Sequence, residues 1–247
     1  MKGLTSFKGK TALVTGASRG IGRSIAQRLA EMGFNLVLTA RSGEKLRELE
    51  KRIKGLGVEC ESLPLDLSEK EAPEKIIRIT QETFNSLHVV VNNAASSGGG
   101  RLQDADLERW DRCLDLNFRA AVHLTRLGLP LMSKNDWGAV INISSISAHR
   151  PSGGAAMYSA TKHALNGFSH SIFEDIREQG IKVVCITPGF VATDLIAKYN
   201  LASENLIQPD DVADAVSYAL NCSGTVCPTE IILRPQKSPH QAKGANT

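Results

Sequence analysis

The apolar run Ala12-Leu13-Val14 leads straight into Thr15-Gly16-Ala17-Ser18-Arg19-Gly20-Ile21-Gly22, and then into a helical pattern at Ile21, Ile25, Ala26, Leu29, Ala30 and Met32. One stretch thus specifies a strand, a glycine turn and a helix. Glycine permits backbone conformations and close approaches that a Cβ would forbid. A helix N-terminus offers unpaired N–H groups and the positive end of the helix dipole, which suits an anion. This is the setting a dinucleotide site needs. The spacing is Gly-x-x-x-Gly-x-Gly rather than the general Gly-x-Gly-x-x-Gly. The plainer alternative is a glycine-rich turn with no ligand.

The same alternation continues along the chain. Short apolar runs lie near 11–15, 35–39, 58–63, 87–91, 139–144, 182–187 and 230–233, with helical patterns near 20–32, 43–55, 69–84, 106–133, 156–179 and 210–221. Runs that are apolar without alternating fit strands buried on both faces. Strand–helix alternation predicts an α/β fold with a parallel, doubly wound sheet of seven strands and helices on both faces. The 247 residues fit one domain, 1–247, with a frayed polar tail at 237–247. Residues 96–100 read as a flexible loop. Residues 194–208 read as a short mobile lid, with Leu195, Ile196, Tyr199 and Leu201 on its inner face.

Two further patterns carry chemistry. The second strand ends in Ala40-Arg41, where a dinucleotide site for NAD would place an acid on the ribose hydroxyls. An arginine there suits the 2′-phosphate of NADP, and Arg19 in the glycine loop offers a second cation. Tyr158 and Lys162 are four residues apart and share a helix face, and Ser145 lies thirteen residues before the tyrosine. A free tyrosine titrates near about 10. A neighbouring ammonium lowers that value toward neutrality, where general acid–base catalysis works best. A serine hydroxyl would orient the oxygen that gains or loses the proton. Ser144 competes for this role, but strand alternation points it to the other face.

With these motifs in place, the chain resembles the short-chain dehydrogenase/reductase family from about Lys10 to Arg234. The resemblance rests on Thr15-Gly16-x-x-x-Gly20-Ile21-Gly22, Asp66-Leu67, Asn92-Asn93-Ala94-Ala95, Asn117, Ser145, Tyr158-x-x-x-Lys162, and Pro188-Gly189 followed by Thr193. It implies a Rossmann fold with strand order 3-2-1-4-5-6-7. It also implies NADP(H)-dependent hydride transfer between the nicotinamide and a carbonyl or secondary alcohol. Tyr158 would be the general acid or base. Lys162 would lower its pKa and hold the nicotinamide ribose, Ser145 would bond the substrate oxygen, and Asn117 would hold a water linking Lys162 to solvent.

For the cofactor, the resemblance implies Gly16, Ser18, Arg19, Gly20, Ile21 and Gly22 at the phosphates and Arg41 at the 2′-phosphate. Asp66 and Leu67 would meet the adenine, and Asn93, Ala94 and Ala95 the ribose and neighbouring cofactor. Pro188, Gly189, Val191 and Thr193 would frame the nicotinamide. Asp66 alternatively caps the helix beginning near Ser68, and Asn117 alternatively bends its helix locally. Ala95 stands where the family often has glycine. Glu230-Ile231-Ile232-Leu233-Arg234-Pro235-Gln236 departs from the glycine-rich ending of typical 3-oxoacyl-acyl-carrier-protein reductases. That departure favours a reductase of small hydroxy or oxo compounds, with the carrier-protein reductase as the alternative. A catalytically silent NADP-binding regulator and a scaffold protein are further rivals. Retention of Asn117, Ser145, Tyr158 and Lys162 argues against both. Family members pair their long helices between subunits, which implies a homodimer or homotetramer.

Composition narrows the partners. A net charge of +3, spread over mixed-sign helices such as 44–54, gives no nucleic-acid footprint. Cys60, Cys113, Cys185, Cys222 and Cys227 are odd in number and widely spaced, which argues against a disulfide framework. The six histidines show no metal-ligand spacing. His149 either borders the substrate or is a surface loop residue. The N-terminal segment has no apolar core of a signal peptide, and no run of residues is long enough to span a membrane. A cytoplasmic location is the expectation.

Overall fold

The computed structural model describes residues 7–135, 137–197 and 199–240. Seven parallel strands form one sheet: β1 (Thr11–Thr15), β2 (Asn35–Ala40), β3 (Cys60–Pro64), β4 (Val89–Asn92), β5 (Gly138–Ile143), β6 (Ile181–Pro188) and β7 (Glu230–Leu233). Their order is β3-β2-β1-β4-β5-β6-β7, so the direction of travel reverses between β1 and β4. A crevice opens at that switch point beyond the strands' carboxyl ends. Every residue of β1, β4, β5 and β6 is buried, as expected for strands covered on both faces.

Helices cover both faces. α1 (Gly20–Glu31), α2 (Gly43–Lys54) and α7 (Pro209–Asn221) lie on one side. α1 buries Ile25, Ala26, Leu29 and Ala30 and packs beside α7. α3 (Ala72–Phe84), α5 (Ala120–Met132) and α6 (Ala156–Ile176) lie on the other. α7 starts on Pro209 with a reciprocal Gln208–Asp211 capping box, which satisfies two orphan N–H groups.

Two helices depart from the sequence expectation near the site. The helix predicted from 69 begins at Ala72, because residues 67–71 are turns beneath Asp66. The helix predicted over 106–133 is α4 (Leu107–Leu114), a π turn at Asp115–Arg119, and then α5. A π turn widens the ladder by one residue and re-aims the side chain it carries. Here that residue is the buried Asn117.

The segment predicted as a lid is fixed at its base. Ile207 N–H donates to Phe190 O and Ala192 N–H to Ile207 O. The fraying expected from residue 237 does not hold for 237–240. Pro239 O accepts from Ala202 N–H, Ser238 O accepts from Asn205 Nδ2, and His240 bridges to Leu201 and packs edge-on against Phe190. Residues 241–247 lie outside the described residues.

Candidate active site

An open cleft of about 1260 Å³ runs along the carboxyl ends of the strands. It exceeds the roughly 300–1000 Å³ of an ordinary small-ligand pocket, so it has room for a dinucleotide and a second molecule.

One end is built from main chain. Gly16 and Gly20 take φ of +64° and +53°, which disfavours any side chain there. A Cβ on Gly16 would lie 2.8 Å from Asn93 Nδ2, and one on Gly22 only 2.3 Å from Gly16 O. The glycines therefore bring β1, α1 and the end of β4 together. Asn93 stitches the same junction: Nδ2 donates to Thr15 O at 2.8 Å, and the Asn93 and Ala94 N–H groups donate to Thr15 Oγ1. α1 begins with no side-chain cap and no acid in its first turn, which leaves its N–H groups free for an anion. Those residues fit a dinucleotide pyrophosphate. Ser18, Ile21, Ala95 and Leu67 also line this end.

Arg41 and Lys45 border the cleft beside Asp66. Burial pushes the Asp66 carboxyl up, but hydrogen bonds from Ser68 and the charges of Arg41 and Arg112 outweigh it and hold the pKa below its ordinary value. Asp66 Oδ1 accepts from both Ser68 N–H and Ser68 Oγ, so Asp66 caps a turn rather than a helix. Arg41 makes no ion pair among the described residues. Arg19 pairs instead with Asp194 at the start of the lid, so its charge is already engaged. Thr193 Oγ1 donates to Val191 O, and its methyl lies 3.0 Å from where a Gly20 Cβ would be.

The middle of the cleft gathers Ser145, Tyr158 and Lys162 with Pro188 and Gly189. Ser145 follows β5, and the other two lie one turn apart near the start of α6. Lys162 is 2 % exposed, and its Nζ donates to Ile143 O at 2.7 Å. Burial pulls its pKa down to about 8. The ammonium is 5.8 Å from the centre of the Tyr158 ring. The sequence expectation that Lys162 sets a lowered tyrosine pKa is not what this geometry gives. Burial pushes the Tyr158 phenol up, and a hydrogen bond with Ser145 only partly offsets it. Desolvating the phenolate outweighs a cation that is not in direct contact with the oxygen.

The family model for short chain dehydrogenase matches residues 10–204. The chain belongs to the short-chain dehydrogenase family. It is 34% identical over 232 residues to an uncharacterized oxidoreductase of Staphylococcus aureus strain USA300, covering 94% of this chain and all of the relative. Among solved structures it is similar to a metagenomic short-chain oxidoreductase in complex with NADP, at TM-score 0.83 and 34% identity over 95% of this chain and 100% of that one. It also resembles L-sorbose reductase from Gluconobacter frateurii complexed with NADPH and L-sorbose, at TM-score 0.87 and 25% identity over 94% of this chain and 97% of that one.

In this short-chain dehydrogenase several site features were not visible in the sequence. The Asn117 carboxamide is a clamp: it accepts from Ser96 N–H at 2.8 Å and donates to Ser96 O at 2.9 Å and Thr161 Oγ1 at 3.1 Å. It fixes the start of the 96–100 loop, whose Ser97 and Gly99 line the cleft. As strand alternation predicted, the Ser144 hydroxyl is turned elsewhere than that of Ser145 and donates to Asn166 Oδ1 at 2.5 Å. His149 does not line the cleft. Its Nε2 lies 2.7 Å from Glu230 Oε1, which also accepts from Asn166 and Thr187. This network ties the loop after Ser145 to β7. Only the four-residue offset of His149 from Ser145 hinted at it in the sequence. Of the lid residues, Leu195, Ile196 and Tyr199 line the cleft, whereas Leu201 pairs with His240.

Proposed function

We propose that the chain is an NADP(H)-dependent oxidoreductase that reduces a ketone or aldehyde, or oxidises the corresponding secondary alcohol. The observation that carries this reading is one cleft that joins the uncapped α1 N-terminus and Arg41 at one end to Ser145, Tyr158 and Lys162 in its middle. When bound, NADPH supplies the hydride for the carbonyl carbon. Tyr158 donates its proton to the carbonyl oxygen while Ser145 orients that oxygen, so the C=O π bond becomes one C–H and one O–H bond. The raised Tyr158 pKa keeps the phenol protonated for this step. Lys162 stabilises the phenolate that forms and holds the nicotinamide ribose.

Reprotonation runs through Lys162 and Asn117 in this reading. A cavity of about 10 Å³, close to the lower limit for one water, lies against Asn117, Lys162, Asn92 and Thr15. Asn92, one of its lining residues, has a buried Oδ1 with no hydrogen-bond partner among the described residues. Asp66 and Leu67 take the adenine. Asn93, Ala94 and Ala95 line the ribose, and Pro188, Gly189, Val191 and Thr193 frame the nicotinamide. Association into a dimer or tetramer is supported by Leu102, Leu107 and Leu114, exposed on and beside α4. Light scattering gives the copy number directly. No helix among the described residues is long and apolar enough to cross a membrane.

The deciding experiment follows NADPH absorbance against ketones, aldehydes, oxo acids and 3-oxoacyl thioesters, with NADH in parallel. Turnover of one class with NADPH supports the reading. Turnover confined to the thioesters moves the assignment to a carrier-protein reductase. Cofactor binding with no turnover of any class moves it to a regulator.

A further inference from the structure

The two ends of the cleft are both basic, and the cofactor accounts for only one. Arg19, Arg41 and Lys45 lie at the end that takes the phosphates, balanced by Asp66 and Asp194. Arg150, Arg234 and Lys237 line the rest of the cleft, whose lining holds no carboxylate besides those two among the described residues. None of these three makes an ion pair among the described residues. The net charge of the whole chain is only +3, so three unbalanced cations at one end of one cleft are a local feature rather than a reflection of composition.

Sheet order separates the two groups. Arg41 follows β2 and Arg234 follows β7, five strand positions apart in the order β3-β2-β1-β4-β5-β6-β7. At about 4.8 Å per strand that is roughly 24 Å, too far for Arg234 to share the phosphate that Arg41 faces. Ser145 follows β5, only two positions from β7, or roughly 10 Å. A group a few bonds from a carbonyl held at Ser145 therefore reaches the second set of cations.

The backbone carrying these cations is fixed. Arg150 N–H donates to Ile146 O at 2.8 Å, and the preceding His149 is held by Glu230. Arg234 and Lys237 sit between Leu233, whose carbonyl accepts from Gly189 N–H at 2.8 Å, and Ser238, whose carbonyl accepts from Asn205. Ser147 and Ser152 add neutral donors on the same side. Cations on fixed backbone around a cleft raise the local concentration of anions.

We propose that the substrate carries an anionic group, a carboxylate or a phosphate, bound by Arg150, Arg234 and Lys237. This rests on the oxidoreductase reading above and narrows its substrate class. The test compares matched pairs by calorimetry on the full chain, with and without NADP⁺. The probes are 4-oxopentanoate and 6-oxoheptanoate against their methyl esters, and dihydroxyacetone phosphate against dihydroxyacetone. At least one anion is expected to bind about tenfold or more tightly than its neutral partner. Raised salt should shrink that preference, because these groups are exposed enough to be screened. The combined variant Arg150→Gln, Arg234→Gln, Lys237→Gln should bring it to within about twofold. Whether the carboxylate or the phosphate pair shows the larger ratio identifies the group. Equal affinities within every pair, no binding by any anion, or a preference that survives the triple substitution would overturn the proposal. Anion binding without NADPH oxidation would instead leave the anion site standing and remove the redox reading.

Discussion

The two ends of the cleft are made differently. The end at β1 and α1 is main chain: two glycines at positive φ, an uncapped helix N-terminus, and an Asn93 side chain holding the turn shut. The far end is side chains on the loops after β5, β6 and β7, held by contacts such as His149 to Glu230 and Ser238 to Asn205. In the proposed reading, main chain recognises what all dinucleotides share. Side chains on separate loops recognise what one substrate has and another lacks. Between them lie Ser145, Tyr158 and Lys162, the only place where both ends must be right at once.

The sharpest way to test that division is to remove the middle and leave both ends. Tyr158→Phe deletes one oxygen on the cleft wall. Turnover should fall by about 10²- to 10⁴-fold, the range of a lost general acid, while the NADPH dissociation constant stays within about threefold. Stopped-flow turnover and fluorescence titration measure the two quantities. Turnover near wild type would remove Tyr158 from the chemistry.

Lys162→Met should move activity and stability in opposite directions. Burial holds the folded-state pKa at about 8, below the roughly 10.4 of an unfolded lysine. Between those values the unfolded chain binds more protons, so stability rises with pH across that window, and below it the native state bears the full penalty. The variant should lose about 100-fold or more in turnover, gain about 1–3 kcal/mol at pH 7, and flatten the slope between pH 8 and 10. Urea melts across that pH range provide the check. A destabilised variant would mean that the bond to Ile143 O outweighs the desolvation of the ammonium.

The difference between the ends also explains what could be read in advance. The glycine turn was legible because main-chain geometry demands glycine at Gly16 and Gly20, and a residue type forced by geometry leaves a spacing. The strand pattern was legible because burial on both faces makes strands such as β4, three valines and an asparagine, mostly apolar. Tyr158 and Lys162 were legible because one helix turn separates them. The Glu230 partner of His149 is 81 residues away, and Arg150 and Arg234 line the same cleft from loops after different strands, so no local pattern records them. The direction of the Tyr158 shift was misjudged for the same reason. Spacing shows that a cation is near, but not that its ammonium is turned to Ile143 O while the phenol is desolvated.

The main-chain end can be broken by a single methyl group. Gly22→Ala would place a Cβ 2.3 Å from Gly16 O, a backbone atom in the turn between β1 and α1. Relief requires the turn to open, at about 1–3 kcal/mol of stability. NADPH and NADH should weaken together if, as proposed, this turn meets the pyrophosphate they share. Thermal melts and titrations of both cofactors check it. Selective loss of one cofactor would show that the turn reads more than the shared phosphates.

The smallest expected effect is the most discriminating, because it separates two arginines the sequence treats alike. Arg41 has no ion-pair partner among the described residues, whereas Arg19 is paired with Asp194. A free guanidinium gains a charge-assisted contact on meeting the 2′-phosphate, while a paired one must first give up its carboxylate. Arg41→Ala should therefore raise the NADPH dissociation constant about tenfold, or about 1.4 kcal/mol, with NADH changed by less than about twofold. Exposure keeps the figure this modest, since solvent and salt screen the contact. Arg19→Ala should shift the NADPH-to-NADH ratio less than Arg41→Ala does. If the two variants shift it equally, the Arg19–Asp194 pair opens at no cost when the cofactor binds, and Arg19 belongs with Arg41 in reading the phosphate. If Arg41→Ala weakens both cofactors alike, the charge at the end of β2 serves the adenosine as a whole, through its hold on Asp66, rather than the phosphate.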